Sequence, residues 1–439
     1  MRRQLPLIVG WGAKIVAAAL ALLNTRLFFH TLGTEGFAAL SILLSLGPWL
    51  AIANLGLPGA SQNELSRLRA EGADLTATLQ TARSLSLLLA GVTAVLVLGL
   101  VPFVRHRVLA GYSSASVGDI ALICMGLLAS GMGVIYSQIL YALQRPLWPN
   151  VMPAVLAIAT AALLGTMEVV GLKGLPAAAI AYALPVVATA AGSAWAIGGS
   201  WRWHVDRSVV ARLFSTARSF LTFTIVSTAT LSIDYLLMSQ LLRAEDIAQY
   251  ALLSRILSTL LGLHAVVLAS AWPRLAEQHF KGDHVQMRKS VLATLGIGSL
   301  VSVVPAAAIL AGHTVVFRAL GAGHLHAPSL ELLLLAFFYL TIRVWSDTFA
   351  TVQLSTGRAG RLASFVVIQM LLSVGGQLML GSRFGAAGIF GGMSLSFILT
   401  VAWALPYQFY KSSRPQGVPP GHDGIEGPSP RVPGQLHEI

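Results

Sequence analysis

The sequence predicts an all-α polytopic membrane protein of about twelve transmembrane helices in two pseudo-symmetric halves, and three observations predict it. The first is composition: 55% of residues are hydrophobic, 10% are charged and the mean hydropathy is +0.74, whereas a soluble domain carries about 25% charged residues. The second is a recurring apolar run of about 20 residues, enough at ~1.5 Å per residue to cross ~30 Å of hydrocarbon. The third is a repeat. Shifting by 210 positions sets NTRLFFHTLGTEGFAALSILL (24–44) under DYLLMSQLLRAEDIAQYALLS (234–254), with Asn24 under Asp234, Glu35 under Glu245, Phe37 under Ile247 and Ala38 under Ala248. A chain that restates its pattern near its midpoint is built from two related halves.

In chain order the spans fall at roughly 5–29, 36–58, 84–104, 119–143, 150–170, 175–197, 218–241, 247–272, 290–317, 329–353, 362–381 and 385–410. The N-terminal MRRQLPLIVGWGAKIVAAALALL has the basic start and apolar run of a signal peptide. Lys14 interrupts that run, however, and its length suits a first span better. The gaps alternate in charge: nineteen Lys and Arg lie on the side of the N-terminus and six on the other. The positive-inside rule therefore puts both termini in the cytoplasm. The expected organisation is an N-terminal half over 1–197, an interfacial linker over 198–217, a C-terminal half over 218–410 and a tail over 411–439. The linker interleaves Trp201, Trp203, Val209, Val210, Leu213 and Phe214 with arginines, as an amphipathic segment on an anionic leaflet would. In the gap at 60–83, Glu64, Arg67, Arg69 and Glu71 have the spacing of a solvated helix. From Ser412 the tail has six prolines and five glycines and is expected to be disordered.

Charges inside the spans carry the functional reading. Lys14, Arg26, Asp234, Arg255, Arg343 and Asp347 all fall within predicted helices. Setting aside Arg26, which lies near a helix end, five central charges facing lipid would cost roughly 12–18 kcal/mol on insertion scales. They must face one another or a hydrated cavity. In the eighth span Arg255 lies on a stripe of small residues with Ala248, Ala251, Thr259 and Gly262. In the first, Lys14 shares a face with Ala18, Ala21 and Thr25, and in the seventh Asp234 shares one with Ser227 and Thr230. Arg343 and Asp347, four apart, can pair on one helix. Asp234 can neutralise Arg255 across the hairpin or bind a coupling proton. Four cations against two anions leave a positive surplus, which suits an anionic ligand such as a diphosphate.

Several classes are excluded or weakened. The net charge of +12 suggests nucleic acid, but the basic residues sit in the gaps between spans, where they act as topology signals. Cys124 is the one cysteine and can form no internal disulfide. His313, His324 and His326 cluster near one gap without the spacing of a metal site. No cofactor, phosphate-cradling loop or nucleotide-binding segment is indicated, and no catalytic constellation is present.

The hairpin IDYLLMSQLLRAEDIAQYALLSRI resembles the seventh-to-eighth helix hairpin of polysaccharide (O-antigen-type) flippases, in the multidrug/oligosaccharidyl-lipid/polysaccharide exporter superfamily. RLFFHTLGTEGFAALSILLSL (26–46), NLGLPGASQNELSRLRAEGAD (54–74), YALQRPLWPN (141–150) and LSTGRAGR (354–361) follow in that family's order. The resemblance implies two six-helix bundles around a central cavity that opens alternately to either side. It further implies a bacterial inner-membrane protein, not an enzyme, that carries a polyprenyl-diphosphate-linked oligosaccharide outward, with polysaccharide-assembly proteins as candidate partners. Cavity cations are expected to hold the diphosphate, and Lys14, Arg26, Arg255 and Arg343 occupy such helices. Two features depart from the family's pattern: Ala248 and Gln249 stand before Tyr250 where a glycine and an aromatic are usual, and the Arg343/Asp347 pair has no match there. A multidrug exporter of the same superfamily and a membrane-embedded polysaccharide polymerase are the alternatives. The first would want a negatively charged cavity, and the second a larger outer loop than the longest one here, at about 105–118.

Overall fold

The computed structural model describes residues 5–112, 115–198, 202–281, 283–321, 325–355 and 359–412. Residues 413–439 of the tail, Arg2, Arg3, Trp201 and His324 lie outside them, as does the side chain of Lys14. Among the described residues every regular element is helical, and ten segments are long and apolar enough to cross a membrane.

Two of these segments are too long for a single crossing. Ile15–Asn54 has 40 residues and Phe365–Lys411 has 47, against the ~20 that hydrocarbon requires. Both contain a chain reversal. Helix α1 (Leu5–Ser45) breaks at Gly33, where φ is 66°, a left-handed value that glycine adopts without steric cost. Across that break the rings of Phe29 and Phe37 stack 3.8 Å apart, whereas eight residues along one helix would separate them by about 12 Å. Helix α14 (Ala359–Leu399) breaks likewise at Gly385, with φ 60°. Its two arms meet backbone to backbone: a Cβ on Gly392 would lie 2.4 Å from Gln377 N, and one on Gly388 would lie 2.0 Å from Leu380 O. Each segment is therefore an antiparallel pair of helical arms.

The 210-residue repeat recurs in where helices stop. Gly33 matches position 243, in the gap between α9 (Asp234–Leu241) and α10 (Ala244–Phe280). Gly385 matches position 175, beside the gap between α6 (Leu147–Val170) and α7 (Gly174–Ile197). The π-helical turn Val104–Val108 at the end of α4 (Thr76–Phe103) matches α12 (His313–Leu320), which follows α11 (His284–Ala311). Helix α5 (Val117–Ala142) packs on α7, and α1 on α6. In the second half α10 packs on α11, and α13 (Leu330–Ser355) on α14. The halves meet where α1 lies against α10 and where α3 (Leu57–Ala70) lies against α8 (Arg207–Leu231).

The segment expected as a linker is partly the start of that last helix. Asp206 caps α8 by accepting hydrogen bonds from Ser208 N at 2.8 Å and Val209 N at 3.4 Å. Val209, Leu213 and Ala217, one stripe of the helix, are buried in the cluster that contains Leu57 and Leu65 of α3. Trp203 and Phe214 stay exposed. Charge ties the same two helices: Arg212 Nε donates to Glu64 Oε1 at 3.0 Å and Arg67 Nη2 donates to it at 2.8 Å. The Arg67 bond, helped by Arg212 against the cost of partial burial, holds Glu64 below its ordinary carboxylate value.

Gly388→Ala is expected to destabilise the protein by about 1–3 kcal/mol through the clash with Leu380 O. Gly375→Ala, whose Cβ meets nothing, should be neutral or stabilising; thermal unfolding in detergent compares them. Because Glu64 is depressed in the folded state, its contribution is complete above its ordinary value of 4.5 and is lost as pH falls through the lower folded value. Glu64→Gln should therefore cost stability at pH 7, and the difference from wild type should shrink only in acid below about 4.5.

Candidate functional site

The seventh span does not run straight. Helix α8 ends at Leu231, Ser232 is non-helical, and α9 restarts at Asp234. Such a break inside a membrane needs partners for the freed backbone. Trp49 Nε1 donates to Ser232 O at 3.1 Å and Ser373 Oγ donates to Thr230 O at 3.2 Å. The restart sets Asp234 at the first turn of α9, where Tyr235 N donates to Oδ1 at 2.9 Å and Tyr250 OH donates to Oδ2 at 2.5 Å.

Tyr250, rather than Arg255, is thus the partner of Asp234, and the expected neutralisation across the hairpin is not formed. The reason is axial register. Asp234 and Tyr250 stand eight residues on either side of Leu242 in the turn, so antiparallel arms bring them level. Arg255 stands thirteen residues from Leu242, a stagger of five residues or ~7.5 Å along the helix axes. Among the described residues no carboxylate lies within 4.0 Å of Arg255.

Arg255 instead borders two cavities. One, of about 620 Å³, lies between Ser41 and Leu44 of α1, Asp234, Tyr250 of α10, and Arg343 and Asp347 of α13. The other, of about 550 Å³, is lined by Ala18, Ala21 and Asn24 of α1, by Tyr182 of α7 and by the opposing face of α10. Arg255, Ser258, Gly262 and Ala265 belong to both. They recur at steps of three and four, so a single stripe of α10 separates the two chambers and the small residues leave the guanidinium room. Of the stripe identified in the sequence, Ala251, Arg255, Thr259 and Gly262 face these openings whereas Ala248 is fully buried, and Ala18 and Ala21 on the face assigned to Lys14 line the second one.

Arg343 is placed differently. Its Nη2 and Nε donate to Asp347 Oδ2 at 3.0 and 3.2 Å, and its Nη1 donates to Tyr339 OH at 3.1 Å. The guanidinium also lies 5.4 Å from the Phe397 ring centroid, within cation–π range. Arg26 is not in either chamber. On α1, Ala21, Asn24 and Phe28 face the second chamber, whereas Leu23, Arg26 and His30 line another pocket on the other side of the helix. The formal charge around the larger chamber is therefore two cations, Arg255 and Arg343, against two acids, Asp234 and Asp347, rather than a positive surplus. Sequence reasoning did not find Tyr235, Tyr250 and Tyr339 as chamber residues. The mirror spacing of Tyr250 and Asp234 about the hairpin turn was the available signal.

Proteins of known description share this architecture. The family described as "Polysaccharide biosynthesis protein" matches residues 8–279, more than half of the sequence. The chain belongs to this family. A relative from Salmonella typhi named "Putative O-antigen transporter" is 27% identical over 92% of this chain and 95% of its own length. A relative from Yersinia pseudotuberculosis named "Putative O-antigen export protein" is 23% identical over 91% of this chain and 94% of its own. Among solved structures, "Lipid II flippase MurJ, inward closed conformation" superposes with a TM-score of 0.69 at 13% identity, over 92% of this chain and 87% of that one. An inward-facing multidrug resistance MATE family transporter of the MOP superfamily gives 0.67 at 13%, over 92% and 98%. At such identities the structures speak to the fold alone. Member of a polysaccharide-biosynthesis family, with relatives named for transport and export, this protein is a multi-pass membrane transporter and not an enzyme.

Asp347→Ala is expected to strand Arg343 on one tyrosine and lower stability by about 1–3 kcal/mol. The double change Arg343→Met with Asp347→Ala should recover part of that loss, as a double-mutant cycle of thermal unfolding would read.

Proposed function

We propose that this transporter moves a polyprenyl-diphosphate-linked oligosaccharide from the cytoplasmic to the outer leaflet of the bacterial inner membrane, for cell-surface polysaccharide synthesis. The observation that carries the proposal is Arg255: a membrane-embedded guanidinium with no carboxylate partner among the described residues, on the common wall of two chambers between the halves. A diphosphate cannot enter hydrocarbon without a replacement for its hydration, and an unpaired guanidinium in a wet chamber supplies fixed donors for it. The O-antigen names of the relatives support the substrate class. The halves, 1–197 and 218–410, would rock about the chamber in alternating access, with both termini in the cytoplasm. Arg343 would join Arg255 when Asp347 releases it. Asp234, held by Tyr250 and not by Arg255, is the carboxyl left for an ion-coupling role.

One observation favours the multidrug alternative over a sequence-only reading: the larger chamber has as many acids as cations and an aromatic wall that includes Tyr250 and Phe390. Efflux of a cationic dye that depends on Asp234 and not on Arg255 would select that reading.

Arg255→Ala, expressed in a strain lacking its own flippase, is expected to insert normally and to leave lipid-linked oligosaccharide on the cytoplasmic leaflet, with surface polysaccharide reduced at least ten-fold. Wild-type export by this variant would remove Arg255 from the site and the proposal with it.

A further inference from the structure

The pocket that holds Arg26 has a twin within the same molecule, and the comparison isolates what is special about it. Its volume is about 550 Å³, and it is built from Arg26 and His30 on α1, Glu168 on α6, and Arg318 on α12. Adding or subtracting 210 carries Arg26 to Leu236, His30 to Gln240 and Arg318 to Val108. Leu236, Gln240 and Val108 line a second pocket, of about 400 Å³, at the matching junction of the other half. There the cleft is bridged by a neutral bond, Gln240 Nε2 donating to Arg107 O at 3.1 Å.

The twin has leucine and valine where the first pocket carries two arginines, and one arginine of its own, Arg107, so it holds one guanidinium to the first pocket's two. The cleft thus forms without a cation at either of the positions that Arg26 and Arg318 occupy. Arg26 and Arg318 come from opposite halves of the chain, and among the described residues neither has a carboxylate within 4.0 Å. The one acid of the lining, Glu168, lies with Oε1 3.5 Å from His30 Nδ1. Two guanidiniums against one carboxylate leave this cleft a formal surplus of positive charge, which suits an anion.

We infer that the α1–α6–α12 pocket is a second anion site, which takes a phosphate-bearing group between Arg26 of one half and Arg318 of the other. It is separate from the chamber, because it lies on the opposite side of α1 from Ala21, Asn24 and Phe28. A ligand that touches both halves stabilises the arrangement in which they are apposed at this end, so occupancy holds this end of the molecule shut. The inference stands whether or not the chamber carries a lipid-linked oligosaccharide.

The test is titration of inorganic diphosphate into the full-length protein in nanodiscs of zwitterionic lipid, followed by calorimetry, in an Arg255→Ala background that removes the chamber cation. Saturable binding is expected to remain in that background and to weaken at least ten-fold when Arg26→Leu and Arg318→Val are added. These are the residues that the twin pocket already tolerates. The milder Arg26→Gln and Arg318→Gln, made singly, should each weaken it as well. Repeating the titration in nanodiscs containing anionic phospholipid separates the sources: competition that lowers diphosphate affinity, and disappears with Arg26→Leu/Arg318→Val, assigns a lipid headgroup, and unchanged affinity assigns a soluble anion. Absence of binding in the Arg255→Ala background, or binding that ignores both arginine substitutions, overturns the inference.

Discussion

A guanidinium inside a membrane must be either paired or hydrated, and the two arginines of the larger chamber differ in which of these the protein provides. Arg343 is held by Asp347 and Tyr339, and Arg255 borders open volume on two sides with no carboxylate within 4.0 Å among the described residues. The difference follows from register. Helical spacing of four puts Asp347 under Arg343 on one element, whereas the Asp234–Arg255 pairing would need two staggered helices to be level. Because Asp234 is satisfied by Tyr250 instead, the cation on α10 keeps its donors clear of that carboxylate, as the proposed substrate-binding role requires.

The same antiparallel geometry organises the fold. Residues equidistant from a turn face each other: Phe29 and Phe37 about Gly33, Asp234 and Tyr250 about Leu242, Gly376 and Gly392 about position 384. Much of this was legible in the sequence. Apolar runs and the 210-residue repeat gave the class and the halves, and the small-residue stripe on the eighth span marked the wall of the chambers. Other features depended on information that periodicity does not hold. That Arg26 points away from the chamber is decided by where α12 docks, a long-range contact. The start of α8 at Arg207 is decided by the Asp206 cap and the Glu64–Arg212 tie, which override the look of a loop. The break at Ser232 is stabilised by Trp49, 183 residues away.

Internal symmetry also supplies a control that a single sequence rarely offers. Where the halves carry equivalent clefts with different side chains, the shared part belongs to the architecture and the difference to chemistry. By that criterion the twin clefts at the ends of α4 and α11 share a construction and differ in where their arginines sit, Arg26 and Arg318 in one and Arg107 in the other. Asn24 and Asp234, related by the same offset, differ likewise: the first donates from Nδ2 to Ala157 O at 2.9 Å and the second accepts from Tyr250. The two halves thus share a frame and divide the polar roles between them.

The hydration of Arg255 is the premise that everything functional depends on, and cysteine accessibility measures it directly. In a background with Cys124→Ser, the thiol of Arg255→Cys is expected to react with a membrane-impermeant methanethiosulfonate reagent. Met238→Cys, at a position with no exposure, should stay inert. An Arg255→Cys thiol as unreactive as the one at Met238, in a folded and inserted protein, would contradict a water-filled chamber at α10.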